Sequence, residues 1–327
     1  MYSDVSFIAS LVMIVLGLWI LTWSANRFVD GAAELSQKFG VPPFIIGMVV
    51  IGFGTSAPEM AVSALSAASG HSDLSLGNAY GSNIYNIAII LGVVALIRPI
   101  LSNSFTAFSS TILLVGVSLL SGFLVWYGGE FSRIDAVLSL LAFAVLLPIS
   151  CWLERKNGST TEDTIVDITP VKHPIIWTLF GLALLVGSSH FLVWGAVDIA
   201  RAFGISELMV GLTIVAAGTS LPELASAIAS ARKGQNEFVM GNIVGSNFFN
   251  TLAVVGVSGL VRPFSCDGGY VLSRDLWVMV ILSLTIGLFG CSFSRRKEGV
   301  IGRAKGLMWI LMFLIYFVIL FIQEHKV

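Results

Sequence analysis

Two six-residue segments, Gly54-Thr55-Ser56-Ala57-Pro58-Glu59 and Gly218-Thr219-Ser220-Leu221-Pro222-Glu223, repeat one pattern of hydroxyls, proline and carboxylate inside two apolar stretches. A carboxylate in the hydrocarbon of a bilayer costs roughly 2.5 to 3.5 kcal/mol on insertion scales, so a matched pair is read first as a functional site. Thr55 lies four residues before Glu59 and Ser56 three before it, so at helical spacing the hydroxyls and the carboxylate share a face. Pro58 has no amide hydrogen and its ring clashes with the carbonyl of Gly54, which predicts a helix break there, repeated between Gly218 and Pro222. Carbonyls freed at such a break must line a cavity or meet protein, because lipid cannot hydrogen-bond them. For Thr55 and Thr219 the plainer reading is a hydroxyl that re-bonds the broken backbone. For Glu59 and Glu223 the plainer reading needs a paired cation, and the nearby spans offer no Lys or Arg at membrane depth.

A second matched pair follows, running from Gly77 to Asn86 and from Gly241 to Asn250. Asn78, Ser82 and Asn86 recur every fourth residue and form one polar stripe with Asn83 at its edge, while the glycines permit close helix approach. The amides of Asn78, Asn86 and their mates suit a role as glue between helices. Ser82, Asn83, Ser246 and Asn247 lie deeper and are the better ligand candidates. Two carboxylates with hydroxyl, amide and carbonyl oxygens, and neither Cys nor converging His, favour a hard cation; Ca²⁺, which accepts six to eight oxygens in irregular geometry, fits better than Mg²⁺. One Ca²⁺, or two monovalent cations or protons, would cancel the charge of the pair, whereas the bare pair is costly to occlude. Loading by either class of ion is the logic of an antiporter. The chain carries neither an H-E-x-x-H helix nor a G-x-S-x-G elbow, so no enzyme is expected.

The elements that must position these residues are membrane spans. Hydrophobic residues make up 56% of the 327 and charged ones 11%, against about 25% charge in soluble domains. Apolar runs long enough to cross a bilayer fall near 5–25, 42–68, 74–97, 105–127, 133–153, 175–199, 207–230, 238–261, 276–293 and 304–322. Residues 47–99 align without a gap onto 211–263 at an offset of 164, with about 20 of 53 positions identical. Each half then holds five helices, and because five is odd the second copy must be inverted. The expected fold is all-α, a polytopic protein of ten transmembrane helices in two inverted five-helix repeats: 1–153, a cytoplasmic linker 154–173, and 174–327. Counted over ten spans, thirteen Lys and Arg lie on the side opposite the N-terminus and five on its own side, which places both termini outside the cytoplasm in a plasma (inner) membrane.

Other features carry less. The first span lacks the basic flank of a secretory signal and reads as a retained helix. Cys151, Cys266 and Cys291 lack ligand spacing. His190, aligned with Asn26, is the one intramembrane histidine, a residue more often hydrogen-bonded than part of a proton relay. No cofactor and no nucleic-acid partner is expected; the partners are the bilayer and small inorganic cations, and the oligomeric state is left open, a monomer included.

Through GTSAPE with GNAYGSN and GTSLPE with GNIVGSN the chain resembles the calcium/cation antiporter superfamily, in particular its compact prokaryotic sodium/calcium exchangers, over about a third of its length. The resemblance implies a ten-helix transporter in which spans 2, 3, 7 and 8 hold the ions and the long spans 1 and 6 slide across them. It implies exchange of Ca²⁺ for Na⁺ by alternating access, with calcium exported. Glu59 and Glu223 would be the shared carboxylates; Thr55, Ser56, Thr219, Ser220, Ser82, Ser246, Asn83 and Asn247 would complete the sites, with backbone oxygens near Gly52 and Ala216. Amides at both Asn83 and Asn247 leave H⁺ open as the coupling ion, and a passive cation channel using the same ligands is the further alternative.

Overall fold

The computed structural model describes residues 4–68, 72–127, 129–157, 171–202, 216–265, 271–292 and 298–324. It is almost entirely helical. Helix α1 is Asp4–Phe39, and α2 is Pro43–Thr55 with a π-helical stretch at Gly47–Gly52. Helix α3 is Ala57–Ala68; α4 runs through 72–97, with Asn86–Leu91 π-helical. After strand β1 (Ile100–Asn103) come α5 (Ser104–Trp126), β2 (Glu130–Phe131) and α6 (Arg133–Asn157). The second half holds α7 (Pro174–Ala202), α8 (Ala216–Thr219), α9 (Leu221–Arg232) and α10 (Asn236–Val261), the last π-helical at Phe249–Val254. Strand β3 (Phe264–Ser265), α11 (Val271–Gly290), β4 (Glu298–Ile301) and α12 (Arg303–Glu324) complete the chain.

Seven of these helices are long and apolar enough to cross a membrane, and eight if the bent pair α2 and α3 counts as one span. Their outer faces are apolar: α6 exposes Ile134, Leu141, Val145 and Trp152, and α12 exposes Leu307, Leu311 and Ile315. A surface of that kind requires lipid around it, so the protein is a multi-pass membrane protein. The start of the expected span 207–230 lies outside the described residues. Helix α1 runs well past the expected end near residue 25, because its second half buries Phe28, Val29, Ala32 and Ala33.

Helices α4 and α10 form the centre, with 67% and 89% of their apolar windows enclosed, against 11% each for α6 and α12. Glycine lets α2 lie directly on α10. A Cβ on Gly241 would stand 2.3 Å from the Phe44 carbonyl oxygen, and one on Gly245 2.3 Å from that of Met48. Helices α1 and α7 pack antiparallel: a Cβ on Gly31 would meet Thr178, one on Gly181 would meet Phe28, and one on Gly195 would meet Ser10. Two short antiparallel ribbons tie the ends of the bundle, β1 with β4 and β2 with β3.

The α2 and α10 contact is backbone against backbone and cannot yield. Gly241→Ala is therefore expected to destabilise the fold by about 1 to 3 kcal/mol. Thermal unfolding of the purified variant checks this, and an unchanged midpoint would contradict the close approach.

Candidate functional site

Ser56 separates α2 from α3 and Ser220 separates α8 from α9, with almost the same backbone angles: φ −82°, ψ 4° and φ −89°, ψ 7°. The first break bends the chain by 41°. Both sit where the flanking glycine and proline lead one to expect. Each break turns one carboxylate and one serine hydroxyl toward the middle of the bundle, where Glu59 and Glu223 are fully buried.

The two breaks interlock. Ser56 Oγ donates to Glu223 Oε1 at 3.1 Å, and Ser220 Oγ donates to Glu59 Oε1 at 3.2 Å. Each carboxylate is thus held by the serine of the opposite half. Within each half an asparagine fixes the glutamate backbone: Asn78 Nδ2 reaches the Glu59 carbonyl at 3.3 Å, and Asn242 Nδ2 reaches that of Glu223 at 3.2 Å. Thr219 faces the Glu59 carboxylate, and Thr55 and Ser246 face that of Glu223. Thr55 Oγ1 donates to the Ile51 carbonyl at 2.9 Å and Ser246 Oγ to that of Gly52 at 3.2 Å, so both hydroxyls also serve the backbone around the break. Ser82 is buried on α4.

The second oxygen of each carboxylate, Glu59 Oε2 and Glu223 Oε2, is buried with no hydrogen-bond partner among the described residues. Neither glutamate forms an ion pair with Lys or Arg there; Lys233 pairs with Asp30 and Arg274 with Asp275. Two desolvated acceptors without compensation are expensive, and a cation between them is the direct remedy. Among the described residues no three His, Cys, Asp or Glu side chains converge. The further ligands these residues offer are neutral oxygens, which suits a hard ion.

The amides divide differently from their sequence ranking. Asn247 has both ends of its amide engaged, accepting from Asn86 Nδ2 at 2.9 Å and donating to the Asn83 carbonyl at 3.2 Å. Asn83 Nδ2 donates to Thr251 Oγ1 at 2.7 Å, while its Oδ1 is buried and unpartnered. Among the described residues, Asn86 Oδ1 and both amide atoms of Asn250 are likewise buried without partners. Asn86 and Asn250, set aside above as glue, therefore each offer an unspent amide oxygen, as Asn83 does. Both lie at or next to the start of a π-helical stretch, where the wider turn re-aims side chains. The usable signal was the stripe itself, since Asn86 and Asn250 stand four residues after Ser82 and Ser246. His190 lies on an exposed part of α7 and is no part of this cluster.

The chain is similar to known proteins over nearly all of its length. The family described as "Sodium/calcium exchanger protein" matches residues 9–152 and 173–322. The chain belongs to the sodium/calcium exchanger family. Members of that family are transporters and not enzymes. Within it, the protein CaxA of Alkalimonas amylolytica is 38% identical over 317 residues, covering 95% of this chain and 98% of the relative. The sodium/calcium exchanger MaX1 of Methanosarcina acetivorans is 28% identical over 352 residues, with 94% and 97% covered. The solved sodium-calcium exchanger NCX_Mj superposes with a TM-score of 0.80 at 30% identity, covering 95% of this chain and 98% of that one.

Truncations of equal size separate strut from ligand. Asn247→Ala breaks two hydrogen bonds and strands Asn86, so it is expected to cost about 1 to 3 kcal/mol of folding stability. Asn250→Ala breaks none and should cost clearly less in the same unfolding assay. The reverse order would sink the assignment of Asn250 as an amide left free for a ligand.

Proposed function

We propose that this protein exchanges Ca²⁺ for Na⁺ across the membrane by alternating access, and that calcium leaves the cell in this way. The observation that carries the reading is the pair Glu59 and Glu223, buried, free of Lys or Arg among the described residues, each with one oxygen unpartnered. One Ca²⁺ or two monovalent cations neutralises that pair, and the bare pair is disfavoured from crossing. The names of MaX1 and NCX_Mj give both ions for proteins of the same family. The ligand set we assign is Glu59 and Glu223, with Thr55, Ser56, Thr219, Ser220, Ser82 and Ser246, and with amide oxygens from Asn83, Asn86 and Asn250; Asn247 acts by holding Asn86 and Asn83 in place.

Alternating access needs two equivalent halves in opposite orientation, and we read the chain as ten spans in two inverted repeats. Three observations support this. Helix α7 corresponds to residues 10–38 of α1 at the 164-residue offset, and the two helices run antiparallel. The serine to glutamate bonds exchange places when the halves are exchanged. The ribbons do so too: β1 corresponds to the segment that begins with β3, and β2 falls four residues short of β4. Helices α1 and α7 are then the sliding pair, and the excess of basic residues on the Lys38 and Lys233 side puts that side in the cytoplasm. A second reading, exchange of Ca²⁺ for H⁺, rests on the same site having two carboxylates and otherwise neutral ligands.

Membrane vesicles holding the full-length protein and loaded with Na⁺ are expected to take up labelled calcium on dilution into Na⁺-free buffer. Glu59→Gln should abolish that uptake. Uptake untouched by the substitution would overturn the site, and uptake driven by a pH gradient without sodium would transfer the coupling to H⁺.

A further inference from the structure

We propose that Asp30 and Lys233 form a one-sided latch, an ion pair that clasps α1 to the ion-binding core in only one of the two transport states and so biases the exchanger toward that state. The inference rests on the alternating-access reading above.

Lys233 Nζ lies 2.6 Å from Asp30 Oδ1 and donates also to the Asn26 carbonyl at 2.9 Å. The side chains are 25% and 20% exposed, so the pair is largely shielded from solvent and salt. Its two ends belong to different bodies. Lys233 closes α9, the helix that carries Glu223, and Gly234 follows it with φ at +75° to complete the turn. That turn is pinned to the end of α4 by Arg98, whose guanidinium meets the carbonyls of Ala231 at 3.5 Å and Arg232 at 3.3 Å. Asp30 belongs to α1, which slides in the proposed cycle. Leu21, Ala25 and Phe28 of α1 share a buried cluster with Ala229 of α9, and beside it a crevice of about 210 Å³ is lined by Leu18 and Asn26 on one side and Leu224, Ile228 and Arg232 on the other. The ion pair is therefore a polar tie across a seam that is otherwise apolar and only partly filled.

The sequence repeat makes the tie asymmetric. At the offset of 164 the position of Asp30 corresponds to Trp194 and that of Lys233 to Ser69. Neither can form an ion pair. In an inverted-repeat transporter the opposite state arises when the halves exchange conformations, which leaves symmetric contacts, such as the serine to glutamate bonds, equal in both states. A contact without a counterpart shifts the balance by its own worth. For a partly exposed ion pair that is about a two- to fivefold change in the ratio of states. The pair joins α1 to the core on the side with the basic excess, so the state it favours is the one closed toward the cytoplasm.

The test is a double-mutant cycle on the full-length protein in lipid nanodiscs, with Asp30→Asn, Lys233→Met and both together. Deuterium uptake across residues 22–36 of α1 is the readout, with Lys233→Arg as the variant that keeps the pair. The latch predicts a two- to fivefold rise in uptake in each single variant, no further rise in the double, and wild-type behaviour in Lys233→Arg. Additive effects, or equal uptake in all proteins, overturn it. A calcium flux assay on the same proteins separates the two claims: coupled uptake changes with no flux in any protein, wild type included, leave the ion pair as a tie on α1 and remove the exchanger reading.

Discussion

Everything in this protein is arranged around two carboxylates that have no business in a hydrocarbon layer. Glu59 and Glu223 are fully enclosed, and each is anchored through one oxygen to a serine from the other half of the chain. The other oxygen of each has no hydrogen-bond partner among the described residues. That division of labour is what a transport site needs. A single anchored oxygen fixes the carboxylate in space, and a bare one keeps an affinity for a cation that the protein itself does not satisfy.

The surrounding helices can be read as the conditions for that arrangement. Serine and carboxylate stand three residues apart and so share a face, and the Gly and Pro on either side of Ser56 and Ser220 break the helix beside them. Just before the break the Gly52 carbonyl keeps the Ser56 amide, and the hydroxyls of Thr55 and Ser246 add bonds to the carbonyls of Ile51 and Gly52. The halves must also approach closely enough for a serine of one to reach a glutamate of the other, and Gly241 and Gly245 allow α10 to press its backbone onto α2. By contrast a crevice lined by Leu18 and Asn26 of α1 and by Ile228 and Arg232 of α9 leaves part of the seam between those helices open.

Near symmetry gives the two states of an inverted-repeat transporter similar energies, and departures from it shift their balance. The site shows both. The serine to glutamate bonds are exchanged by the repeat, whereas Thr251, which receives the Asn83 amide, stands where the first half has Ile87. Lys233 and Asp30 are a larger departure, carrying charge where the other half has Ser69 and Trp194.

Much of this was legible in the residues alone. The apolar composition and the run lengths require a membrane protein, because no soluble core absorbs so much apolar surface. The paired GTSxPE segments identify the carboxylates and the helix breaks, because proline and a buried charge have consequences that do not depend on context. What only the tertiary structure decided is which polar groups are already spent. Asn83, Asn86, Asn247 and Asn250 are the same residue type on two matched stripes, and spacing ranks them only by depth. Among the described residues, hydrogen bonds across the bundle occupy both ends of the Asn247 amide and leave Asn250 with none, and the π-helical stretches at Asn86 and Phe249 alter the register that a 3.6-residue period assumes. Whether an amide ligates or braces depends on partners far away in the chain, and helical periodicity within one segment carries no information about them.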